Sequence, residues 1–180
     1  MSRLPEIDEY KLTDEQRHMF DEIMRIRGQV RGPFAIWLNS PSLGELALKT
    51  QDWFQKETEL PARLVELAIL VMARKANAQF AWAIHEKRAV AEGLSKTIVE
   101  QVNGRMMPSF EREDERMTYD IACELFETRT LSSSSYERAE SVFGVKGLVE
   151  LVSLVGFYVM VAMVLNTFDA DAPGQKTLLS

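Results

Sequence analysis

Apolar residues recur at steps of three and four positions along most of the chain, which is the spacing of one face of an α-helix. The clearest apolar stripe comprises Leu64, Leu67, Ala68, Val71 and Met72. No alternating strand pattern extends beyond a few residues. The pattern therefore predicts an all-α fold.

Capping and stop signals divide this pattern into separate helices. The peptide TDEQ at 13–16 has the capping-box spacing, and Gly28 marks the end of the helix that follows. Ser40 is predicted to cap the next helix, and a proline at 61 opens the one after it. Gly93 ends a further helical stretch, and SSSS at 132–135 reads as a loop and helix cap.

The most apolar segment, 148–165, is about long enough to cross a membrane. Glu150 lies inside it, and Asp169 and Asp171 follow without a basic or aromatic anchor. A fully buried helix has the same composition. We therefore expect a buried helix from about Lys146 and no membrane association, with a membrane span as the alternative.

Composition narrows the possible partners and the cellular location. The 180 residues suit a single domain, 1–180, and the net charge of −6 without a basic run argues against nucleic-acid binding. Cys123 is the only cysteine, so an intramolecular disulfide is impossible. The polar N-terminus lacks the apolar region of a secretory signal. These features predict a cytoplasmic protein.

Acid–base chemistry has two candidate residues. His85 follows Phe80 and Trp82 in FAWAIH, and an imidazole exchanges protons near neutral pH. Glu66 sits among apolar neighbours, where burial would suit it to the role of a general acid or base. The alternatives are a surface or hydrogen-bonded histidine, and a Glu66 that is exposed or paired with Arg63. The separation of 19 positions along the chain does not by itself bring Glu66 and His85 together.

The remaining reactive residues have simpler interpretations. Glu150 is expected to be a carboxylate near a helix N-terminus, and Cys123 a core or interface residue. His18 lies in a charged amphipathic helix and is expected at the surface. The sequence has no HExxH, cysteine pair or close histidine pair, so no metal site is predicted.

The segment 60–102 resembles the core motif of the carboxymuconolactone decarboxylase family, within the alkylhydroperoxidase D-like superfamily. The matching elements are a proline-led helix with Glu66, the peptide FAWAIH and the closing GLS. RGPFAIWLNSP upstream and ELVSLVGFYVMVAMVLNTFD downstream resemble the longer members of the family. Residues 1–40 would then form an N-terminal helical extension.

This resemblance implies an all-α fold of two similar helical halves that assembles into a homo-oligomer, as a dimer, trimer or hexamer. An echo in the sequence agrees with two halves, because LVELAILV at 64–71 and LVELVSLV at 148–155 match at LVEL and LV.

The redox members of the superfamily carry a Cys-x-x-Cys motif, and its two cysteine positions fall on Ala78 and Ala81 of this chain. The glutamate and histidine positions match Glu66 and His85. The resemblance therefore implies the decarboxylase branch rather than peroxiredoxin chemistry, since no thiolate is available at the site.

The implied function is cofactor-independent decarboxylation of a small carboxylic acid or lactone, of the kind met in the catabolism of aromatic compounds. His85 would act as general acid or base with Glu66 as its partner, and Phe80, Trp82, Ala78 and Ala81 would line the substrate pocket. Three alternatives remain at this stage. They are a superfamily-type peroxidase activity, a redox role for Cys123, and a non-catalytic helical oligomer that binds a small molecule.

Overall fold

The computed structural model describes residues 2–174, which form eight α-helices and no strand within that range. A short 3-10 turn at Glu9–Lys11 precedes the first helix. The helices are α1 (Asp14–Arg27), α2 (Pro33–Trp37), α3 (Pro41–Lys56), α4 (Ala62–Lys75), α5 (Gln79–Ala91), α6 (Lys96–Asn103), α7 (Glu113–Thr128) and α8 (Ser133–Thr167). The all-α prediction is confirmed for the described residues.

Helix α4 is the centre of the molecule. It packs against α5, α7 and α8, and also touches α3 and α6. Every residue from 64 to 74 is buried, including Glu66 and Arg74. A helix that is apolar on nearly all sides needs neighbours around its whole circumference, and the surrounding helices provide them. The α5 helix returns alongside α4 after a turn at Asn77, whose φ is 52°.

The predicted capping signals at the start of the chain are confirmed. The Thr13 hydroxyl accepts from the backbone N–H of Gln16, and the Gln16 side chain accepts from the Thr13 N–H in return. Gly28 ends α1 in the left-handed conformation, with φ of 71°. Ser40 precedes α3 but makes no side-chain capping bond, so Pro41 is the stronger signal at that boundary.

Helix α8 is the long apolar helix. Ser132 caps its first segment and the serines at 133–135 form the first turn, whereas the apolar segment begins after Gly144, close to the predicted start at about Lys146. Gly144 interrupts it with φ of 65° and ψ of 173°, and the apolar part follows. By length and composition alone it is long enough to cross a bilayer, and half of its most apolar window is buried against the other helices.

Candidate active site

The packing of α4 against α5 brings Glu66 and His85 together. Glu66 Oε2 lies 2.7 Å from His85 Nδ1, within hydrogen-bond distance. Glu66 is 5% exposed and His85 is 4% exposed, so the contact is shielded from water. Arg63 does not pair with Glu66 and instead binds Asp114 and Glu115 on α7. The pair is therefore a buried carboxylate–imidazole unit.

Helix α5 presents one face to a pocket and another to α6. Phe80, Ala81, Ile84, His85 and Arg88 line the pocket. These positions are separated by one, three or four residues, which places them along one side of a helix. His85 therefore faces the pocket directly.

Trp82 and Ala78 lie outside this pocket lining, although the sequence placed them in it. Trp82 is 1% exposed, and its indole N–H donates to Glu86 Oε2 at 3.0 Å on the side that faces α6. Ala78 is the residue before α5 and is completely buried in the core. Trp82 is therefore turned towards α6, and Ala78, which precedes the first residue of α5, packs into the core instead of the pocket.

Other helices complete the pocket walls. Pro33 and Phe34 come from α2, Gln51 from α3, and Tyr158, Val161 and Leu165 from α8. Gly32 allows α2 to approach α5, because its φ is 59° and a Cβ there would lie 2.3 Å from the Phe80 ring. The pocket volume is about 90 Å³, below the usual range of about 300–1,000 Å³ for drug-sized ligands, which favours a small molecule.

The pocket is positively charged in a protein whose net charge is −6. Arg27, Arg31 and Arg88 line it, and no aspartate or glutamate does. Arg88 and Arg31 are exposed, whereas most of the Arg27 side chain is buried. Three guanidinium groups in a lining that contains no carboxylate favour an anionic ligand, although Asp52, outside the lining, lies 3.9 Å from Arg27.

Arg27 carries unused hydrogen-bonding capacity beside the pocket. Its Nη1 donates to Gln55, while its buried Nε and Nη2 have no hydrogen-bond partner within residues 2–174. Asp52 Oδ1 is 3.9 Å from Nη2, and the Phe34 ring centre is 6.0 Å from the guanidinium carbon. Burial lowers the pKa of Arg27 below its usual value.

Tyr158 is the aromatic neighbour of His85. The two rings meet edge to face at 90°, with centroids 5.4 Å apart. The Gln51 amide nitrogen donates to the Tyr158 hydroxyl oxygen at 3.1 Å, and both residues are buried. Burial raises the pKa of Tyr158 well above its usual value of about 10, so the phenol stays neutral.

The other candidate residues lie elsewhere. Glu150 accepts hydrogen bonds from the Thr58 hydroxyl at 2.6 Å and the Glu59 N–H at 2.8 Å. Cys123 is half-buried on α7 and is absent from the pocket lining, and burial raises the pKa of its thiol. His18 is exposed on α1 and lies 3.8 Å from Glu45.

No cluster of three or more metal-binding side chains of the His, Cys, Asp and Glu types occurs within residues 2–174.

No family model matches the chain, and no curated protein matches it either. Solved structures do match. An uncharacterized peroxidase-related protein with an alkylhydroperoxidase AhpD core, from Ralstonia eutropha JMP134, superposes with a TM-score of 0.79 at 15% identity. The alignment covers 96% of this chain and 92% of that one.

Two further structures agree. An uncharacterized peroxidase-related protein from Silicibacter sp. TM1040 gives a TM-score of 0.75 at 17% identity, covering 94% of this chain and 91% of that one. A protein of unknown function from Agrobacterium tumefaciens, provisionally assigned to antioxidant defence, gives 0.67 at 16% identity, covering 81% and 100%. The chain has the AhpD-like fold. Identities this low establish the fold and leave the reaction to be argued from the site.

The sequence analysis missed Gln29 and Arg31 in the connection between α1 and α2, and it also missed four polar pocket residues that lie in helices: Arg27, Gln51, Arg88 and Tyr158. They come from α1, α3, α5 and α8, and only tertiary packing brings them together. Tyr158 offered a weak signal, as a hydroxyl-bearing residue in an otherwise apolar helix segment. Arg88 offered another, because it follows His85 by three positions and so shares its helix face.

Proposed function

We propose that this protein is a cofactor-independent lyase that removes CO2 from a small carboxylic acid or lactone, with a carboxymuconolactone as first candidate. The observation that carries this proposal is the buried Glu66–His85 contact of 2.7 Å beside a pocket lined by three arginines. A proton-transferring pair in a cationic pocket suits an anionic substrate that must take up a proton.

The chemistry of this reaction is balanced without an oxidant or a reductant. The bond between the ring carbon and the departing carboxylate breaks, and CO2 leaves. The electron pair passes through the ring double bond onto the lactone carbonyl oxygen, giving a dienolate. One proton is then delivered to the carbon next to that carbonyl, so the net reaction takes up one proton from solvent.

Each residue of the pair has a defined role in this scheme. Glu66 occupies His85 Nδ1, which leaves Nε2 as the nitrogen that exchanges the proton with substrate. The Glu66 carboxylate orients the ring and balances its charge when both nitrogens carry protons. Arg27, Arg31 and Arg88 hold the substrate carboxylates at the pocket and its mouth.

Peroxidase chemistry has less support from this chain's own residues, although two structural neighbours are named peroxidase-related. Alanines stand at the two positions where the resemblance places redox cysteines, and Ala81 lines the pocket beside His85. The single cysteine is on α7 and does not line the pocket. A thiol-dependent reaction would therefore need a sulfur from outside this pocket.

We also infer that the protein is a cytoplasmic homo-oligomer built from two similar helical halves. Supporting the assembly, the part of α8 that follows Gly144 carries exposed apolar residues on one side, at steps of three, four and eight residues, namely Val145, Val149, Val152, Met160 and Met163. A second copy would bury this stripe and explain it without a lipid bilayer. Sedimentation of wild type and Val149→Glu tests this inference. The variant should form a smaller assembly than wild type, because a charge would be placed in the interface.

The test of the proposed function is turnover of 4-carboxymuconolactone by the purified protein, with and without excess reductant. Loss of lactone and release of CO2 are followed together. The variant is His85→Gln, and the matched control is His18→Gln, which changes the other histidine at the exposed surface. We expect the turnover rate to be the same with and without reductant and to be unchanged in His18→Gln. It should fall about 10²–10⁴-fold in His85→Gln.

Other results would redirect the assignment. Turnover of a peroxide that depends on reductant and on Cys123 would replace the lyase with a redox enzyme. Binding of the lactone without turnover would favour a non-catalytic binding protein. Full activity in a folded His85→Gln protein would contradict the acid–base role of the pair.

A further inference from the structure

The hydroxyl of Tyr158 can both accept and donate a hydrogen bond, and only its accepting role is filled by the described residues. Its hydroxyl oxygen already accepts from the Gln51 amide at 3.1 Å. A phenol has one proton to donate, and no acceptor for it is found within residues 2–174. The residue is 3% exposed and lines the pocket, so water or a ligand in the pocket is what remains to accept from the hydroxyl. A buried donor without an acceptor is costly unless a ligand completes it.

The direction of the Gln51 contact sets what the hydroxyl can do. Because the amide nitrogen donates to the Tyr158 oxygen, the O–H bond must point elsewhere. Tyr158 lines the same pocket as His85, and the two rings are in edge-to-face contact. An oxygen of a ligand in this pocket is the acceptor that the geometry leaves available.

The surroundings keep Tyr158 a donor rather than a base. Burial is the main cause that raises its pKa, and the nearby Glu66 carboxylate adds to the effect. The Gln51 hydrogen bond and the charges of Arg88 and Arg27 act in the opposite direction but do not outweigh burial. The phenol is therefore neutral at physiological pH and can donate to an oxyanion.

We propose that the Tyr158 hydroxyl, oriented by Gln51, donates a hydrogen bond to the substrate carbonyl oxygen that becomes negatively charged when CO2 leaves. This rests on the proposed function and narrows its substrate class. The substrates are carboxylic acids whose departing carboxylate is attached to a carbon from which the electron pair can pass, directly or through a C=C bond, onto a carbonyl oxygen. Preorganised donors act most strongly on charge that develops in the transition state.

The proposal divides the reaction between two neighbouring groups. His85 delivers the proton to carbon, and Tyr158 stabilises the oxygen that carries the charge before the proton arrives. Loss of one such donor lowers kcat by about 10²–10³-fold in enzymes with an oxyanion site. KM should change little, because the neutral ground-state carbonyl is a weaker acceptor than the enolate oxygen.

Turnover tests the proposal first. Tyr158→Phe removes only the hydroxyl, and Tyr119→Phe makes the same change at a partly buried tyrosine on α7 outside the pocket. We expect Tyr158→Phe to lose about 10²-fold in kcat on 4-carboxymuconolactone with KM within about threefold. Tyr119→Phe should keep kcat within about twofold.

Binding of a stable lactone enolate tests Tyr158 whether or not that lactone is turned over. Tetronic acid is an ionised five-membered lactone enolate at neutral pH, and 2(5H)-furanone is its uncharged counterpart. We expect Tyr158→Phe to bind tetronate about 10- to 100-fold more weakly than wild type, with furanone binding unchanged. Calorimetric titration measures both ligands.

The outcomes separate the two proposals. Tetronate binding that weakens in Tyr158→Phe supports the donor role even if 4-carboxymuconolactone is not a substrate, in which case only the proposed function needs a new substrate. Equal tetronate affinity in wild type and Tyr158→Phe, or no tetronate binding by wild type, would overturn the role of Tyr158. Equal losses of tetronate and furanone affinity would also overturn it, since they would indicate a packing defect.

Discussion

Two buried glutamates in the same local sequence have different surroundings in this protein. The peptide LVEL occurs at 64–67 in α4 and at 148–151 in α8, and Glu66 and Glu150 are each 5% exposed. Glu66 meets a titratable imidazole at a pocket wall, 2.7 Å away. Glu150 instead meets a hydroxyl and a backbone N–H, neither of which exchanges protons near neutral pH.

The difference shows that the partner, rather than the local sequence or the burial, decides what a buried carboxylate can do. Glu150 is a structural group, since it satisfies the loop between α3 and α4 and fixes that loop against α8. Glu66 has an imidazole partner, and a pair of this kind is what the proposed proton transfer requires. The following predictions test this contrast, from the largest effect to the smallest.

Activity should separate the two glutamates first. Glu66→Gln keeps the size of the side chain but loses the charge that balances a protonated His85, so kcat should fall by about 10²-fold or more. Glu150→Gln makes the same chemical change away from the pocket and should keep kcat within about threefold. Steady-state kinetics of the two folded variants measure this. Equal losses in both would mean that the two carboxylates do not differ in function.

Arg88 provides a second functional contrast, because it shares the pocket face of α5 with His85. Arg88→Gln removes an exposed charge at the pocket mouth, so KM should rise about tenfold while kcat changes little. Lys87→Gln removes the neighbouring exposed charge, which does not line the pocket, and should leave KM unchanged. Measuring the rate against substrate concentration gives KM for both variants. An equal rise in KM in both would indicate only a long-range effect of charge and would contradict a direct role for Arg88.

The role of Glu150 should be visible in the stability of the protein rather than in its activity. Its two hydrogen bonds are charge-assisted, so Glu150→Gln should lower the free energy of unfolding by roughly 1–3 kcal/mol. Thr58→Val should remove part of the same interaction, and the double variant should lose less than the sum of the two. Urea unfolding of the four proteins measures the coupling, and strictly additive losses would contradict a direct contact between Thr58 and Glu150.

The smallest effect is expected at Cys123. Cys123→Ser should leave turnover unchanged, because the thiol is absent from the pocket lining. Burial raises its pKa, so the thiolate fraction at a given pH is smaller than for a free thiol, and labelling should accelerate as pH rises. Iodoacetamide labelling of native protein against a free-thiol standard checks this. Rapid labelling at neutral pH that stops turnover would favour a redox role instead.

Much of the helical layout could be predicted from sequence, because the signals that define it are local. The Thr13–Gln16 capping box and the Gly28 stop need only neighbouring residues, and both occur as predicted. The serine run was less informative, since serine is common both in loops and in the first turn of a helix. Only the backbone geometry shows that 133–135 are helical.

The candidate site was predictable only where helical spacing determines it. FAWAIH indicated an aromatic wall, but which aromatic residue faces His85 depends on how α5 is rotated against α4. That rotation turns Phe80 towards the pocket and Trp82 towards α6. The contact between Glu66 and His85, and the approach of Tyr158 to His85, join separate helices, and no local pattern encodes them.

The central claim is that Glu66 and His85 act as one unit in catalysis, and a double-mutant cycle in kcat tests it most directly. Wild type, Glu66→Gln, His85→Gln and the double variant are compared on one confirmed substrate. Residues that act as a unit give strongly non-additive losses, so the double variant should be no slower than His85→Gln alone, within about threefold. Losses that multiply in the double variant would show that the two residues contribute independently and would contradict the account.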